Sequence, residues 1–385
     1  MAQNNQSNKL DNFDELIDIA AKFSPQKTIA QVQSFGSGNI NDTFLVSLQG
    51  EKLQGIEATS FILQRINTKV FCEPKLVMQN MRIYGDHVRD RLKRDRLKNE
   101  PLDRRWEVPQ VLVTEQGLDY WQTEKGEFWR SLNFIEGSQS VDAIANHHQA
   151  REVGYALGIF HHLTSDLAPE RLADTLVGFH VTPRYLREYE QVLAKSVIKR
   201  SPELNYCLQF VSDRQGLAHI LEDAKKAGKL VSRTMHGDPK VNNILFDQQT
   251  QLAVSVIDLD TVKSGLVHYD IGDCLRSGCN LAGEEVAEWE NVQFETELCQ
   301  QILQGYLRIA KSFLTEYDYV YIYEAIRVIT FELGLRFFTD YLAGNQYFHV
   351  KYPEHNLLRS LVQFRLVESI EAQELVINTI IRDMC

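Results

Sequence analysis

The chain has 385 residues, 44% hydrophobic and 24% charged, a balance that supplies a buried core and, by size, roughly two or three folding units. Its formal net charge of −11 argues against a general nucleic-acid surface, because phosphate backbones are held by basic footprints. No stretch approaches the ~18 apolar residues of a membrane span and residues 1–9 are polar. We therefore expect no membrane partner and a cytoplasmic address, which also suits six cysteines without a C-x-x-C pair.

Residues 11–23 place Phe13, Leu16, Ile17, Ala20 and Ala21 on one helical face, which predicts a short packed helix. Residues 28–48 read as strand, turn, strand around Gly36-Ser37-Gly38-Asn39-Ile40-Asn41. Backbone amides at Gly36, Ser37 and Gly38 can approach phosphate oxygens where a Cβ would obstruct. A third glycine of the G-x-G-x-x-G pattern would fall at Asn41, so without the His236 region a plain hairpin turn with no ligand would be an equal reading. Residues 61–66 form a strand whose alternation sets Gln64 and Arg65 on opposite faces.

Residues 87–100 interleave Arg89, Arg91, Lys93, Arg94, Arg96 and Lys98 with Asp90, Asp95 and Glu100, as in a solvated segment held by local pairs. Residues 108–114, 121–122 and 128–134 complete a small sheet that Glu136-Gly137-Ser138 ends. Residues 141–164 form a helix with Ile144, Ala150, Val153, Leu157, Phe160 and His161 spaced for burial. The pairs His147/His148 and His161/His162 are read as packing and surface groups, since adjacent helical residues diverge in direction and no acid lies between i and i+4 histidines. Further helices are expected over 183–200, 205–228 and 286–313. An amphipathic helix follows over 319–341, interrupted by Glu324, Arg327, Glu332 and Arg336.

The chemistry concentrates in His236-Gly237-Asp238, followed by Asn243 and then Ile257-Asp258-Leu259-Asp260. Phosphoryl transfer from a nucleotide needs an oxygen base beside the acceptor hydroxyl and two oxygen ligands for magnesium, and the order Asp, Asn at plus five, Asp supplies them. Asp238 is then the base, Asn243 and Asp258 the metal ligands. Lys240 neutralises charge on the moving group, and His236 is grouped with Asp238 and Lys240 as catalytic. Asp260 either reaches a second ion or caps the turn before Thr261. Gly237 and Pro239 predict a tight loop, and strands over 243–246 and 252–259 around the polar turn 247–251 bring Asp258 back beside Asn243.

This constellation resembles the aminoglycoside phosphotransferase and choline kinase superfamily, which shares the two-lobed protein-kinase-like fold and writes His-Gly-Asp where protein kinases write His-Arg-Asp. The resemblance implies an α+β chain, with a small antiparallel-sheet nucleotide lobe at 1–134 and a larger, mainly helical catalytic lobe at 135–385, using ATP and magnesium. It also implies that Asp270, in His268-Tyr269-Asp270-Ile271-Gly272-Asp273, braces the catalytic loop through backbone amides. Asn133, Phe134 and Ile135 then meet the adenine edge, and Arg65 takes the basic position that pairs with phosphates; a solvent-facing edge arginine is the other reading.

A narrower similarity, to N-acetylhexosamine 1-kinases, is carried by Gly36-Ser37-Gly38-Asn39-Ile40-Asn41-Asp42-Thr43-Phe44, by Ile62-Leu63-Gln64-Arg65-Ile66-Asn67 with Val70-Phe71, and by Arg336-Phe337-Phe338-Thr339-Asp340-Tyr341-Leu342 through Tyr347-Phe348. It implies that Arg336 and Tyr347 hold an N-acetylated sugar near Asp238; pairing of Arg336 with Glu332 or Asp340 is the competing account. The expected reaction is transfer of the ATP γ-phosphoryl group to the anomeric hydroxyl of N-acetylglucosamine or N-acetylgalactosamine. The alternatives are another small alcohol, such as choline, ethanolamine, homoserine or an aminoglycoside, and a kinase-like binding module without catalysis.

Overall fold

A computed structural model describes residues 13–36, 40–49, 60–98, 102, 104–197 and 200–384. Two compact units divide the chain: Met1–Gly85 with Val108–Glu136, and Asp86–Glu107 with Gly137–Cys385.

The first unit opens with α1 (Phe13–Ala21), then β1 (Ile29–Ser34), β2 (Asp42–Leu48) and β3 (Ser60–Ile66). The helix α2 (Pro74–Leu97) follows, with the unit division falling inside it, and then β4 (Val111–Leu112), β5 (Trp121–Gln122) and β6 (Phe128–Asn133). The strands form one antiparallel sheet in the order β1-β2-β3-β6-β4, with β5 also paired to β6. Alternation along β2, β3 and β6 turns Val46, Phe61, Leu63 and Trp129 to one side, where Leu16, Ile19, Ala20 and Phe23 close the core.

The second unit runs β7 (Ser138–Gln139), α3 (His147–Thr164), α4 (Thr182–Leu193), α5 (Pro202–Arg214), α6 (Ile220–Lys226), β8 (Arg233–Met235), β9 (Ile244–Asp247), β10 (Ala253–Val256), β11 (Lys263–Gly265) and α7 (Val267–Gly278). It ends with α8 (Thr296–Ala310), α9 (Glu316–Val320), α10 (Ile322–Leu342), α11 (His355–Ala372) and α12 (Glu374–Arg382). Asn146 caps α3 by accepting from the Gln149 amide, so that helix starts at His147, six residues later than its apolar spacing suggests. At the crossing of α3 and α8 the backbones nearly touch: a Cβ on Gly154 would sit 1.8 Å from the Ile302 carbonyl oxygen, and one on Gly305 1.9 Å from that of Arg151.

Two expectations are corrected. The segment 86–107, expected in the first unit, falls in the second, where its charges find distant partners in addition to the expected local pairs of Arg89 with Asp86, Arg91 with Asp95 and Lys93 with Asp90. His87, Arg91 and Arg94 converge on Asp166 at 2.9, 2.5 and 2.8 Å, Arg104 bonds Glu152 at 2.6 Å, and the Glu107 amide donates to the Val254 carbonyl at 2.8 Å. Burial opposes the charge of Asp166, yet Arg91 and Arg94 hold its carboxyl down at about 2. The helix α10, read as amphipathic, is instead buried along nearly all its faces. Phe331, Leu335 and Phe338 pack with Phe210 and Phe364, while Ala325, Val328 and Ile329 pack with Tyr269 and Leu266. Its acids Glu332 and Asp340 are buried and bonded internally, so they define no wet face.

Candidate active site

The loop after β8 carries His236, Gly237 and Asp238. Asp270, fully buried in the first turn of α7, accepts from the His236 amide at 2.6 Å and the Gly237 amide at 2.8 Å. His161 adds a third contact to the same carboxylate at 2.8 Å, and its other ring nitrogen meets the Tyr306 hydroxyl at 3.0 Å. Burial alone would raise the Asp270 carboxyl, but His161, His236 and the loop amide outweigh it and the group is held below its ordinary value. The brace expected of Asp270 is thus formed, and His161, read from sequence as a packing histidine, is part of it.

Gly237 adopts φ +88, and a Cβ there would meet Thr261 Cβ at 2.9 Å, so the loop needs glycine. His236 is fully buried. Its Nε2 donates to the Ile257 carbonyl at 2.9 Å and its Nδ1 accepts from the Asp238 amide at 3.2 Å. Both ring nitrogens are committed to backbone, and burial lowers its proton affinity. His236, grouped with the catalytic residues on sequence, is thus held on both ring nitrogens by the backbone of the loop and of Ile257.

The hairpin of β9 and β10 forms with Ile244 opposite Val256 and Phe246 opposite Ala253. Its turn is tied by Asp247 Oδ1, which accepts from the amides of Gln249 and Thr250. One bond beyond the ladder, the Ile257 amide donates to the Asn243 carbonyl at 2.9 Å, which brings the backbone bearing Asp258 beside Asn243. Asp258 holds a left-handed conformation, φ 63 and ψ 58, uncommon for a residue with a side chain. Asn243 Nδ2 donates to the Asp238 carbonyl at 2.8 Å and to its Oδ2 at 3.2 Å, so the oxygen end of the amide is the end suited to a hard cation. Lys240 Nζ lies 3.0 Å from Asp238 Oδ2. The charge on Asp238, first, and that on Asp258 raise the lysine's proton affinity, so it stays cationic. Asp260 is buried in the short turn that follows.

Arg336 and Tyr347 are brought together. The guanidinium of Arg336 lies 5.3 Å from the ring centre of Phe179, 5.0 Å from Tyr185, 6.0 Å from Tyr347 and 5.5 Å from Phe348. Neither acid that sequence spacing offered pairs with it. Glu332 accepts from Thr182 Oγ1 at 2.6 Å and meets His180 Nδ1 at 2.9 Å. Asp340 accepts from the amides of Gln346, Tyr347 and Phe348 at 2.7, 2.8 and 2.9 Å, and from Asn356 Nδ2 at 2.9 Å. Burial works against the arginine's charge, but Tyr185, Glu332, Tyr347 and Asp238 together raise its proton affinity, which also places Asp238 within electrostatic reach. Asp340, missed as a site residue, anchors the loop that carries Tyr347 and Phe348.

In the first unit, Gly36 has φ +77, and Ser37 and Gly38 lie outside the described residues. Phe35 packs edge-on to Phe134 with ring centres 5.8 Å apart, which sets the backbone just before Gly36 beside Phe134. The Asn133 amide donates to the Gln110 carbonyl at 3.0 Å and its side-chain oxygen accepts from the Gln110 amide at 2.6 Å. Ile135 is buried. Arg65 pairs with Asp42 and Glu127, each at 2.6 Å, and lies opposite Trp129 on the face that α1 covers. Gln64 shares the other face with the buried Arg130, which bonds Gln64 at 2.9 Å and reaches Met81 of α2. To meet a phosphate, Arg65 has to exchange two carboxylates for it.

Residues 31–301 match the family model described as the phosphotransferase enzyme family. Among solved structures, a microcompartment-associated aminopropanol kinase is 14% identical, with a TM-score of 0.60 over 95% of this chain and 99% of that one. A choline kinase from Cryptosporidium parvum Iowa II is 15% identical, with a TM-score of 0.60 over 96% and 98%. A spectinomycin phosphotransferase in complex with ADP and spectinomycin is 13% identical, with a TM-score of 0.54 over 95% and 99%. These neighbours establish the two-lobed α+β, kinase-like fold.

Proposed function

From the premise that the chain belongs to the phosphotransferase enzyme family, we propose that it transfers the γ-phosphoryl group of ATP to the anomeric hydroxyl of a neutral N-acetylated hexosamine. Family membership supports phosphoryl transfer to an alcohol; the choice of acceptor is argued from Arg336.

The observation that carries the acceptor class is this arginine, a cation collared by four aromatic rings and directly paired with neither of its helical acids. The solved neighbours include kinases of choline and aminopropanol, and a quaternary ammonium is recognised by an aromatic cage. Here the rings already enclose a cation. A second unit charge brought to ~6 Å of Arg336 is opposed by roughly 3 kcal/mol at an effective dielectric of ~20, on the order of a hundredfold in affinity. A carbonyl or hydroxyl oxygen is instead attracted to the guanidinium fork, which suits the N-acetyl group of a hexosamine.

In this reading Asp238 Oδ2 is held by Lys240 and Asn243, and Oδ1 faces the acceptor hydroxyl. As the new O–P bond forms, the hydroxyl proton passes to Asp238, the bond from the γ-phosphorus to its bridging oxygen breaks, and ADP leaves. Lys240 offsets negative charge on the moving group. Asn243 and Asp258 are the oxygen donors fitted to magnesium, which neutralises the phosphates when bound. We assign the nucleotide to Gly36, Ser37, Gly38, Arg65 and the segment Asn133, Phe134 and Ile135.

ADP formation with ATP and magnesium, measured across N-acetylhexosamines, hexoses, choline, homoserine and an aminoglycoside and repeated with Asp238→Asn, tests the reading. Turnover with N-acetylhexosamines that Asp238→Asn reduces by ~100-fold or more is expected. Turnover confined to choline or an aminoglycoside would overturn the acceptor assignment. ADP release independent of Asp238 would overturn the catalytic one.

A further inference from the structure

His180 stands between the catalytic loop and the helix that bears Arg336. It lies just before α4, is buried, and holds a left-handed backbone with φ 62. A side-chain-bearing residue in that region is held there against its own preference by its surroundings. Those surroundings are specific. The ring's Nε2 is 2.8 Å from the Gly237 carbonyl, in the residue before the base, and its Nδ1 is 2.9 Å from Glu332 Oε1, one helical turn before Arg336. A carbonyl oxygen only accepts, so Nε2 carries a proton; a carboxylate accepts as well, so Nδ1 carries one too.

We infer that His180 is a doubly protonated positioning residue that locks the Asp238 loop to the Glu332–Arg336 turn of α10, and that phosphoryl transfer falls when it loses its second proton. The inference rests on the reading of Asp238 as base and Arg336 as acceptor-binding group. The groups facing the ring are consistent with a buried imidazolium. Glu332 from α10 and the Gly237 carbonyl touch it, Tyr269 of α7 stacks on it with ring centres 5.4 Å apart, and the charge of Asp273, also on α7, acts on it. Thr182 holds the other oxygen of Glu332 at 2.6 Å, which keeps the carboxylate aimed at the ring. Burial disfavours the charged form, and Glu332, the Gly237 carbonyl and Asp273 outweigh it, so His180 binds its proton more tightly than a free histidine. The contact is therefore complete below the ordinary histidine range and is lost as pH rises through the raised value.

The test combines kinetics with a measurement that needs no acceptor. In His180→Gln, kcat at neutral pH is expected to fall ~10- to 100-fold, as for a displaced catalytic loop, with KM for ATP little changed. The alkaline fall of kcat expected of the natural chain should disappear with the variant. Nitrogen NMR of labelled histidine, assigned by difference against His180→Gln, is expected to show both ring nitrogens protonated at pH 7. In Glu332→Gln the second proton is expected to leave at lower pH. A ring with one proton at pH 7, or a His180→Gln enzyme with unchanged kcat and an unchanged alkaline limb, overturns the inference. Failure of the natural chain to phosphorylate any acceptor overturns the kinase reading, and the NMR titration still decides the state of His180.

Discussion

Replacing Asp270 by Asn removes a charge from the point where three donors meet two oxygens. In the native loop Oδ2 accepts from the His236 amide and from His161, and Oδ1 accepts from the Gly237 amide. An Asn side chain has one accepting oxygen. In its best orientation it keeps the Oδ2 pair and turns its NH2 toward the Gly237 amide, so two donors face each other inside a fully buried site. Losing one charge-assisted bond costs ~1.5–3 kcal/mol, and stranding a buried N–H adds ~1–3 kcal/mol. A total of ~3–5 kcal/mol is a large share of the ~5–15 kcal/mol that ordinary domains possess. Denaturant unfolding of both forms at pH 7, with amide exchange at 236–238, is the assay. We expect the variant to unfold ~3–5 kcal/mol earlier, to lose protection across the loop, and to lose kcat more than nucleotide affinity. The folded carboxyl sits below its ordinary value, so this stabilisation is present above the ordinary carboxylate pKa and disappears as pH falls through the folded one. A variant within ~1 kcal/mol of the native chain, with the loop still protected, would refute the assignment of Asp270 as the brace.

Arg336→Ala removes the guanidinium proposed for the acceptor, so KM for the acceptor should rise ~10- to 100-fold, the worth of one charged hydrogen bond, with KM for ATP unmoved; equal effects on both substrates would contradict it. Gly305→Ala sets a Cβ 1.9 Å from the Arg151 carbonyl oxygen. A loss of ~2–3 kcal/mol in unfolding free energy is expected from overpacking, and a stabilised variant would show that the two helices yield more readily than their spacing suggests. Asp166→Asn should cost ~1 kcal/mol at pH 7, a value discounted for solvent screening because the carboxylate is 43% exposed. That stabilisation is present above the usual 3.8 and vanishes as pH falls through about 2, so acid unfolding curves of the two forms should converge there.

The second unit's site was legible in sequence where local chemistry determines it. Gly237 and Pro239 announce a loop, and the polar turn 247–251 between apolar strands predicts the hairpin that returns Ile257 to Asn243. Asp270 could be placed only through the family resemblance. What escaped was chemistry made by residues far apart in sequence. His161 and His180 each find their partners across many residues, and a lone histidine on an apolar helix face looks the same whether it packs or braces. The charges of 87–100 are partly paired locally, as expected, but the turn after α3 adds Asp166, which the spacing could not show. Alternation correctly separated Gln64 from Arg65, but which face holds which partner depends on β6, where Arg130 sits opposite Gln64. The helices α11 and α12 had no place in the sequence reading, and α7 was taken only as a motif.

Asp340 holds the turn after α10 by gripping main-chain amides at 346, 347 and 348, none of which depends on the side chain those residues bear. The scaffold of the wall proposed to hold the acceptor and the chemistry of that wall are thereby separable. Tyr347 and Phe348 can be exchanged for other residues without undoing the knot beneath them, whereas altering Asp340 dismantles the wall whatever rings it displays. A small library at positions 347 and 348 on an intact Asp340 is accordingly the economical route to retuning which alcohol the enzyme accepts.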